Sequence, residues 1–302
     1  MKMKLSNMLD IKLSINSDEH LLSAWMRHNL RCGFSHMPFN NCLSYWSLPK
    51  QHLKAQRIAG SSIKAILEQI ETKIGRRSSL LLNHTNARLW SISQGFTSDL
   101  EALNELMPRA NLEDRNLAFS TNWKLCPLCT KEERIRMGYC FWHRSHQLPS
   151  ITQCLKHLTP LYSHDSLKKI DRLILPDNYL SLVQKSGPVH PDLLKWSLFI
   201  GELDLLLDQN KVSPCDLRKQ AKVLLGLPES ANSKDGANYQ TITEQMYLSI
   251  GEQLKKHLFK SNDGKYPNVL WLLFSGKHYR KSLINPVYWL VVFFWLRQKL
   301  RF

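Results

Sequence analysis

No stretch of this 302-residue chain is long and apolar enough to span a bilayer. The most hydrophobic run, Val287 to Leu296, is ten residues long, against the roughly 20 that a transmembrane helix needs. The amino-terminal MKMKLSNMLDIKLS lacks the continuous apolar core of a signal peptide. Glycine and proline are scarce, at 12 and 13 positions, which excludes a collagen-like or low-complexity chain. Cysteine is sparse and odd in number, seven in all. That is unlike a disulfide scaffold and leads us to expect a reducing, cytoplasmic setting where close cysteines bind metal. Acidic residues are the scarcer charge, 25 Asp and Glu against 41 Lys and Arg, for a net +16. Such an imbalance exceeds what solubility needs and points first to a polyanionic partner, with nucleic acid ahead of an anionic membrane surface.

Catalytic signatures are missing as well. The sequence has no GxxxxGKS/T phosphate loop, no HExxH and no GxSxG, so we expect a protein that is not an enzyme. Sustained alternation of apolar and polar residues is absent, and there is no internal repeat. What remains is helical periodicity, and the expected fold class is mainly α.

The helices announce themselves by face and cap. Asp18 is placed to cap a segment whose Leu21, Leu22, Trp25 and Met26 share one face. Ser61 and Ser62 precede Ile63, Ile66, Leu67, Ile70 and Ile74, with Gly75 as the stop. Ser98 and Glu101 form a capping box. Asp192 opens an apolar helix through Leu207 that reads as buried nearly all round. Ser213-Pro214 starts another, ended by Gly226. Thr241 and Glu244 suggest a capping box ahead of Tyr247, Ile250, Leu254 and Leu258, and Asn285-Pro286 begins the final helix. Breaks fall at Ser186-Gly187-Pro188, at the polar loop Gly226 to Asn238, and at Trp123 to Leu161, which lacks helical periodicity over most of its length. The expected layout is a helical, helix-turn-helix-like domain at 1–120, a zinc-binding module at 121–165, and a helical domain with a basic tail at 166–302.

Charge is concentrated at the carboxyl end. Residues 255–302 carry ten Lys and Arg with only Asp263 opposing them. Lys277, Arg280 and Lys281 form one cluster, Arg297, Lys299 and Arg301 another. We take these six as candidate nucleic-acid contacts, against the alternative of an ordinary solvated face; phosphate contact makes binding steeply salt-dependent.

One constellation carries sharp chemistry. Cys126-Pro-Leu-Cys129 is followed, after 24 residues, by Cys154-Leu-Lys-His157. Two close pairs, each separated by two residues, let the chain wrap a tetrahedral Zn²⁺. Three thiolates and one imidazole make a closed structural site that organises a loop-rich segment. Cys140, His143 and His146 lie between the pairs and remain competing ligands, while Cys32, Cys42 and Cys215 read as small apolar fillers.

This cluster resembles a known family. CPLC at 126–129, then Tyr139, Trp142, HQLP at 146–149 and CLKHLTPL at 154–161, is similar to the zinc-finger core of TniQ/TnsD proteins, the target selectors of cut-and-paste transposons. Asp18-Glu19 with Leu21 to Trp25 resembles the family's opening helix. His84-Thr85 stands where such proteins carry a His-Thr, and the likeness continues loosely over 190–296. Two departures stand out: 162–214 holds no cysteine where many members place a second Cys-pair ribbon, and TnsD-like members continue beyond the apolar helix that here precedes Phe302. The resemblance implies a non-enzymatic adaptor with structural zinc. It would link a target, either attachment-site DNA or a DNA-bound CRISPR guide-RNA effector complex, to an AAA+ regulator ATPase, and through it, indirectly, to the transposase. No membrane role is expected, and homodimerisation is left open. The rival readings are a zinc-stapled, transcription-factor-like DNA-binding protein and, weakened by the closed ligand set, a zinc-dependent nuclease.

Overall fold

The computed structural model describes residues 14–34, 38, 41–42, 77–93, 115–120, 122–163, 175–182, 189–227, 236–274 and 284–300. Among these residues the chain is mainly helical, with isolated bridges and no strand, as periodicity led us to expect. It divides into two compact units: 1–87 with 121–147 and 153–188, and 88–120 with 148–152 and 189–302. The expected boundaries at 120/121 and 165/166 both touch positions outside the described residues. So do the helix expected from Ser61 to Gly75, the Ser98/Glu101 box and the turn at 186–188.

The first unit begins with α1 (Leu21–Arg31), whose Leu21, Leu22, Trp25 and Met26 are buried as their spacing requires. Its cap is not Asp18. His20 occupies the N-cap position, and its Nδ1 accepts from Leu22 N at 3.2 Å. Burial pushes the His20 imidazole down to about 3, which keeps Nδ1 an acceptor. The expectation failed because a residue two positions nearer the helix outcompetes Asp18, whose carboxylate is used elsewhere. Behind the cap, Glu19 holds Arg27 with two contacts, Oε2 to Nη2 at 2.8 Å and Oε1 to Nε at 3.1 Å, and accepts from Ser23 Oγ. A buried charge pair with this fork geometry costs little only because each partner is satisfied.

A short helix follows, α2 (Arg77–His84), and then α3 (Ala87–Trp90), of which only Ala87 belongs to this unit. The His-Thr pair joins them to the start of α1. His84 Nδ1 lies 2.9 Å from the Glu19 carbonyl, while Thr85 Oγ1 donates to Leu81 O and accepts from Ala87 N. The segment expected to lack helical periodicity over most of its length contains α4 (Pro127–Met137). It shows little apolar periodicity because only Cys129, Thr130 and Glu133 are buried. Its anchors are a proline in the first turn and Gly138, at φ 76°, just past its end. Two 3-10 turns, Ser145–Gln147 and Pro176–Leu182, complete the described helical elements of this unit.

The second unit is built on α10 (Val287–Leu296), which is buried on every side except at Trp295. Asn285 Oδ1 accepts from Val287 N at 3.1 Å, so the Asn-Pro start is real. Around this helix pack α5 (Pro191–Asp208), α6 (Pro214–Leu224), α7 (Gly236–Ile250) and α9 (Val269–Phe274), with α8 (Glu252–Leu258) against α5 and α7. Edge-on ring pairs knit the layers: Trp196 to Phe294 at 5.4 Å, Phe199 to Phe294 at 5.3 Å and Phe274 to Trp289 at 5.3 Å. Arg88 reaches Asp204 and Asp208 of α5 at 3.4 and 2.5 Å.

Three expectations for this unit need correction. α5 is not buried all round, since Leu198 and Leu205 face solvent. Thr241 and Glu244 are not a cap. They sit inside α7, where Thr241 Oγ1 donates back to Ala237 O and Glu244 accepts from Gln240, because the helix starts at Gly236. The apolar run beyond it is cut at Gly251 into α7 and α8. Ser213 does cap α6, accepting from Asp216 N at 3.5 Å. Among the lone cysteines, Cys42 is buried and donates to Asn29, Cys32 is half-buried, and Cys215 is exposed rather than filling a core.

Candidate metal centre

Local folding alone brings the two cysteine pairs to one point. Cys126 is the N-cap of α4 and Cys129 lies in its first turn, where free backbone N–H groups and the helix dipole favour thiolates. The second pair sits on a tight turn, with Leu158 N bonded to Cys154 O at 2.8 Å and His157 N to Cys154 Sγ at 3.4 Å. Leu158 takes the left-handed φ of 54° that this turn demands. Paired backbone bonds between Leu125 and Tyr162, at 3.0 and 2.8 Å, bring the flanks together.

The four donors converge. Cys129 Sγ is 3.6 Å from Cys154 Sγ, and His157 Nδ1 is 3.5, 3.3 and 3.6 Å from the sulfurs of Cys126, Cys129 and Cys154. All four ligand atoms lie within 4.8 Å of one another, with the cysteines buried. An ion about 2.3 Å from sulfur and about 2.0–2.1 Å from nitrogen would separate tetrahedral donors by roughly 3.5–3.8 Å. The spacing therefore fits a tetrahedral metal. The neighbouring thiols pull Cys126 down and push Cys129 and Cys154 up, and a divalent cation at this point would let all three sulfurs ionise.

The ligand shell is itself held. His157 Nε2 is 2.8 Å from Glu132 Oε1, so Nδ1 is turned toward the sulfurs, and Lys156 closes on the other Glu132 oxygen. Thr159 Oγ1 approaches Cys126 Sγ at 3.5 Å, and His146 Nε2 approaches Cys129 Sγ at 3.7 Å.

Of the three competing residues Cys140 and His143 are otherwise engaged, while His146 lies beside the cluster with Nε2 3.7 Å from Cys129 Sγ. Cys140 Sγ accepts from Asp177 N at 3.3 Å, and burial pushes its thiol up to about 12. His143 has Asp18 Oδ2 at 2.9 Å from Nδ1 and Glu133 Oε1 at 2.5 Å from Nε2. Burial opposes its charge, but those two carboxylates raise it to about 9, so it is a held imidazolium and not a base. His146 is buried, which takes it down to about 3. Asp18 spans 143–145, accepting from Ser145 N and Oγ besides its contact with His143. Gln147 of the HQLP string is wholly buried; its amide donates to Lys124 O and His143 O while its carbonyl accepts from Lys124 N. The string thus fixes the chain just before Cys126.

The sequence model of the TniQ family matches residues 11–161, half of the chain, including α1, the HQLP string and all four donors. The chain belongs to the TniQ family. No match is found among curated proteins. TniQ membership implies a transposition-associated role in target selection or DNA binding, and the TniQ segment here carries a Cys/His cluster able to hold a metal ion.

Of the candidate nucleic-acid contacts, Arg297 and Lys299 are exposed after α10, and Arg297 stacks on Phe294 with its guanidinium carbon 4.1 Å from the ring centre. Lys277, Arg280, Lys281 and Arg301 lie outside the described residues. Sequence reasoning missed Glu132, Asp18 as a latch, and the pairing of His143 with Glu133. Their one signal was position: Glu132 and Glu133 stand one turn beyond Cys129, visible only once α4 is known to be a helix. No described helix is long and apolar enough to cross a membrane.

Proposed function

We propose that the protein is a non-enzymatic target-site adaptor for DNA transposition, rigidified by one structural zinc. The ion would be held by Cys126, Cys129, Cys154 and His157, supplying cross-links that the polar, poorly buried α4 region does not make by itself. Under this reading 121–165 is a hub between the helical regions at 1–120 and 166–302. It links a target to an AAA+ regulator ATPase in the cytoplasm and meets the transposase indirectly. The observation that carries the proposal is the coincidence of the TniQ match at 11–161 with the convergent four-donor cluster.

Two targets fit the adaptor role, attachment-site DNA and a guide-RNA effector complex already on DNA. The concentration of charge at 255–302 favours some direct nucleic-acid contact in either case. Offering zinc-loaded protein a random duplex, a candidate attachment site and the guide-RNA complex separates the two. Selective binding of naked attachment-site DNA assigns the first, and binding only through the RNA complex assigns the second. A transposition assay tests the role as a whole: deleting the gene should abolish targeted insertion and spare transposase expression. Undiminished, correctly placed insertion contradicts it.

A further inference from the structure

The outer face of α4, away from its cysteines, carries an unusual surface. Ile135 is 78% exposed and Leu128 45% exposed, two turns apart on one helix. Scattered exposed aliphatics need no explanation, but these two are continuous with Pro127 and with Leu180 of the 3-10 turn Pro176–Leu182. Together they line a groove of about 380 Å³ whose wall is apolar. Lys131 and Arg134 complete the lining. Arg134 is matched by Asp177 at 2.8 Å, whereas Lys131 makes no ion pair among the described residues.

We infer that this groove docks an acidic amphipathic helix of a partner protein, with two bulky apolar side chains one turn apart in the trough and a carboxylate meeting Lys131. Leu128 and Ile135, seven residues and so about 10 Å apart along α4, both line the trough, a spacing that suits side chains projecting from one helix face. The charge at its rim selects the sign of the partner, since an acidic flank gains at Lys131 and a basic flank is repelled. With the proposed zinc bound, Cys126 and Cys129 would hold the first turn of the same helix, so that the surface is presented on a fixed element and little ordering is needed on binding. The inference does not depend on the transposition role.

The test is a display library of randomised 18-residue helical peptides, selected on the zinc-loaded full chain and counter-selected on Ile135→Glu. Enriched peptides should carry paired Leu, Ile or Phe three or four residues apart, with Asp or Glu alongside. A synthetic representative should bind the parent at least about tenfold more tightly than Ile135→Glu or Lys131→Glu. Exchanging its carboxylate for lysine should restore binding to Lys131→Glu. Zinc content and circular dichroism establish that the variants are folded, with Ile135→Ser as the milder replacement. The proposal is overturned if no peptide depends on Ile135, or if the enriched set is neutral or basic. It is equally overturned if Ile135→Glu converts a dimer to a monomer in sedimentation, which gives the groove to a second copy.

Discussion

Glu132 Oε1 lies 2.8 Å from His157 Nε2, on the side of the imidazole opposite the three sulfurs. A metal held at Nδ1 would leave the ring proton on Nε2, placed to be donated to this carboxylate, which orients the ring and would raise its basicity as a ligand. Lys156 and then His157 hold the Glu132 carboxyl below its ordinary range, which keeps it an acceptor. Glu132→Gln should therefore retain the metal but weaken it by about 10–100-fold, read as faster zinc loss to a chelator. A variant that holds zinc as tightly as the parent would show the contact to be incidental.

The latch formed by Asp18, His143 and Ser145 makes stability depend on pH in a definite way. Burial disfavours the Asp18 charge, but the hydrogen bonds from His143 and Ser145 outweigh it and hold the group at about 2. Its contribution is present above the unfolded value of 3.8 and is lost as pH falls toward 2. His143, raised to about 9, contributes fully below its unfolded 6.5 and loses that contribution as pH rises through 9. The latch is thus at full strength between about 4 and 6.5. Because 38% of the Asp18 side chain meets water, Asp18→Ala should cost about 1–2 kcal/mol, less than a fully buried pair. The difference in Tm between parent and His143→Gln should be greatest at pH 4–6.5 and shrink by pH 9. A pH-independent difference would remove charge from the explanation.

Gly251 separates α7 from α8 at φ 86° and ψ 152°, a region that side chains avoid. A Cβ there would also stand 2.9 Å from Asp192 Oδ2. Gly251→Ala should destabilise the chain by about 1–3 kcal/mol, measured by denaturant unfolding. No change in the midpoint would mean that the break between the helices is soft.

For the basic carboxyl region, replacing Lys277, Arg280 and Lys281 with Ala should weaken binding to duplex DNA of any sequence. The slope of log K against log salt should fall by about 0.9 for each phosphate that is no longer neutralised. Unchanged affinity and slope would return the cluster to an ordinary solvated surface.

How legible was all this in the sequence? The fold class was, because Leu21, Leu22, Trp25 and Met26, or Leu217 and Ala221, fall on single buried faces. So was the meeting of Cys126, Cys129, Cys154 and His157 at one point, since an x2 spacing keeps the two members of each pair close whatever the tertiary packing. Caps were less so. Asp18, His20, Thr241 and Glu244 all carry side chains able to cap, and the choice among them depends on which backbone N–H groups are left free once the helix ends are set. α4 was illegible because a helix held by two cysteines at one end needs no apolar stripe. The hold of Glu132 on His157 bridges residues 25 positions apart, which no local pattern encodes.

Metal content of the freshly purified chain tests the central claim most directly. Mass spectrometry under native conditions should find one zinc per chain, lost in Cys154→Ser together with the protease resistance of 121–165. A parent chain without zinc, or a Cys154→Ser variant that retains one ion and resists proteolysis like the parent, would contradict the account.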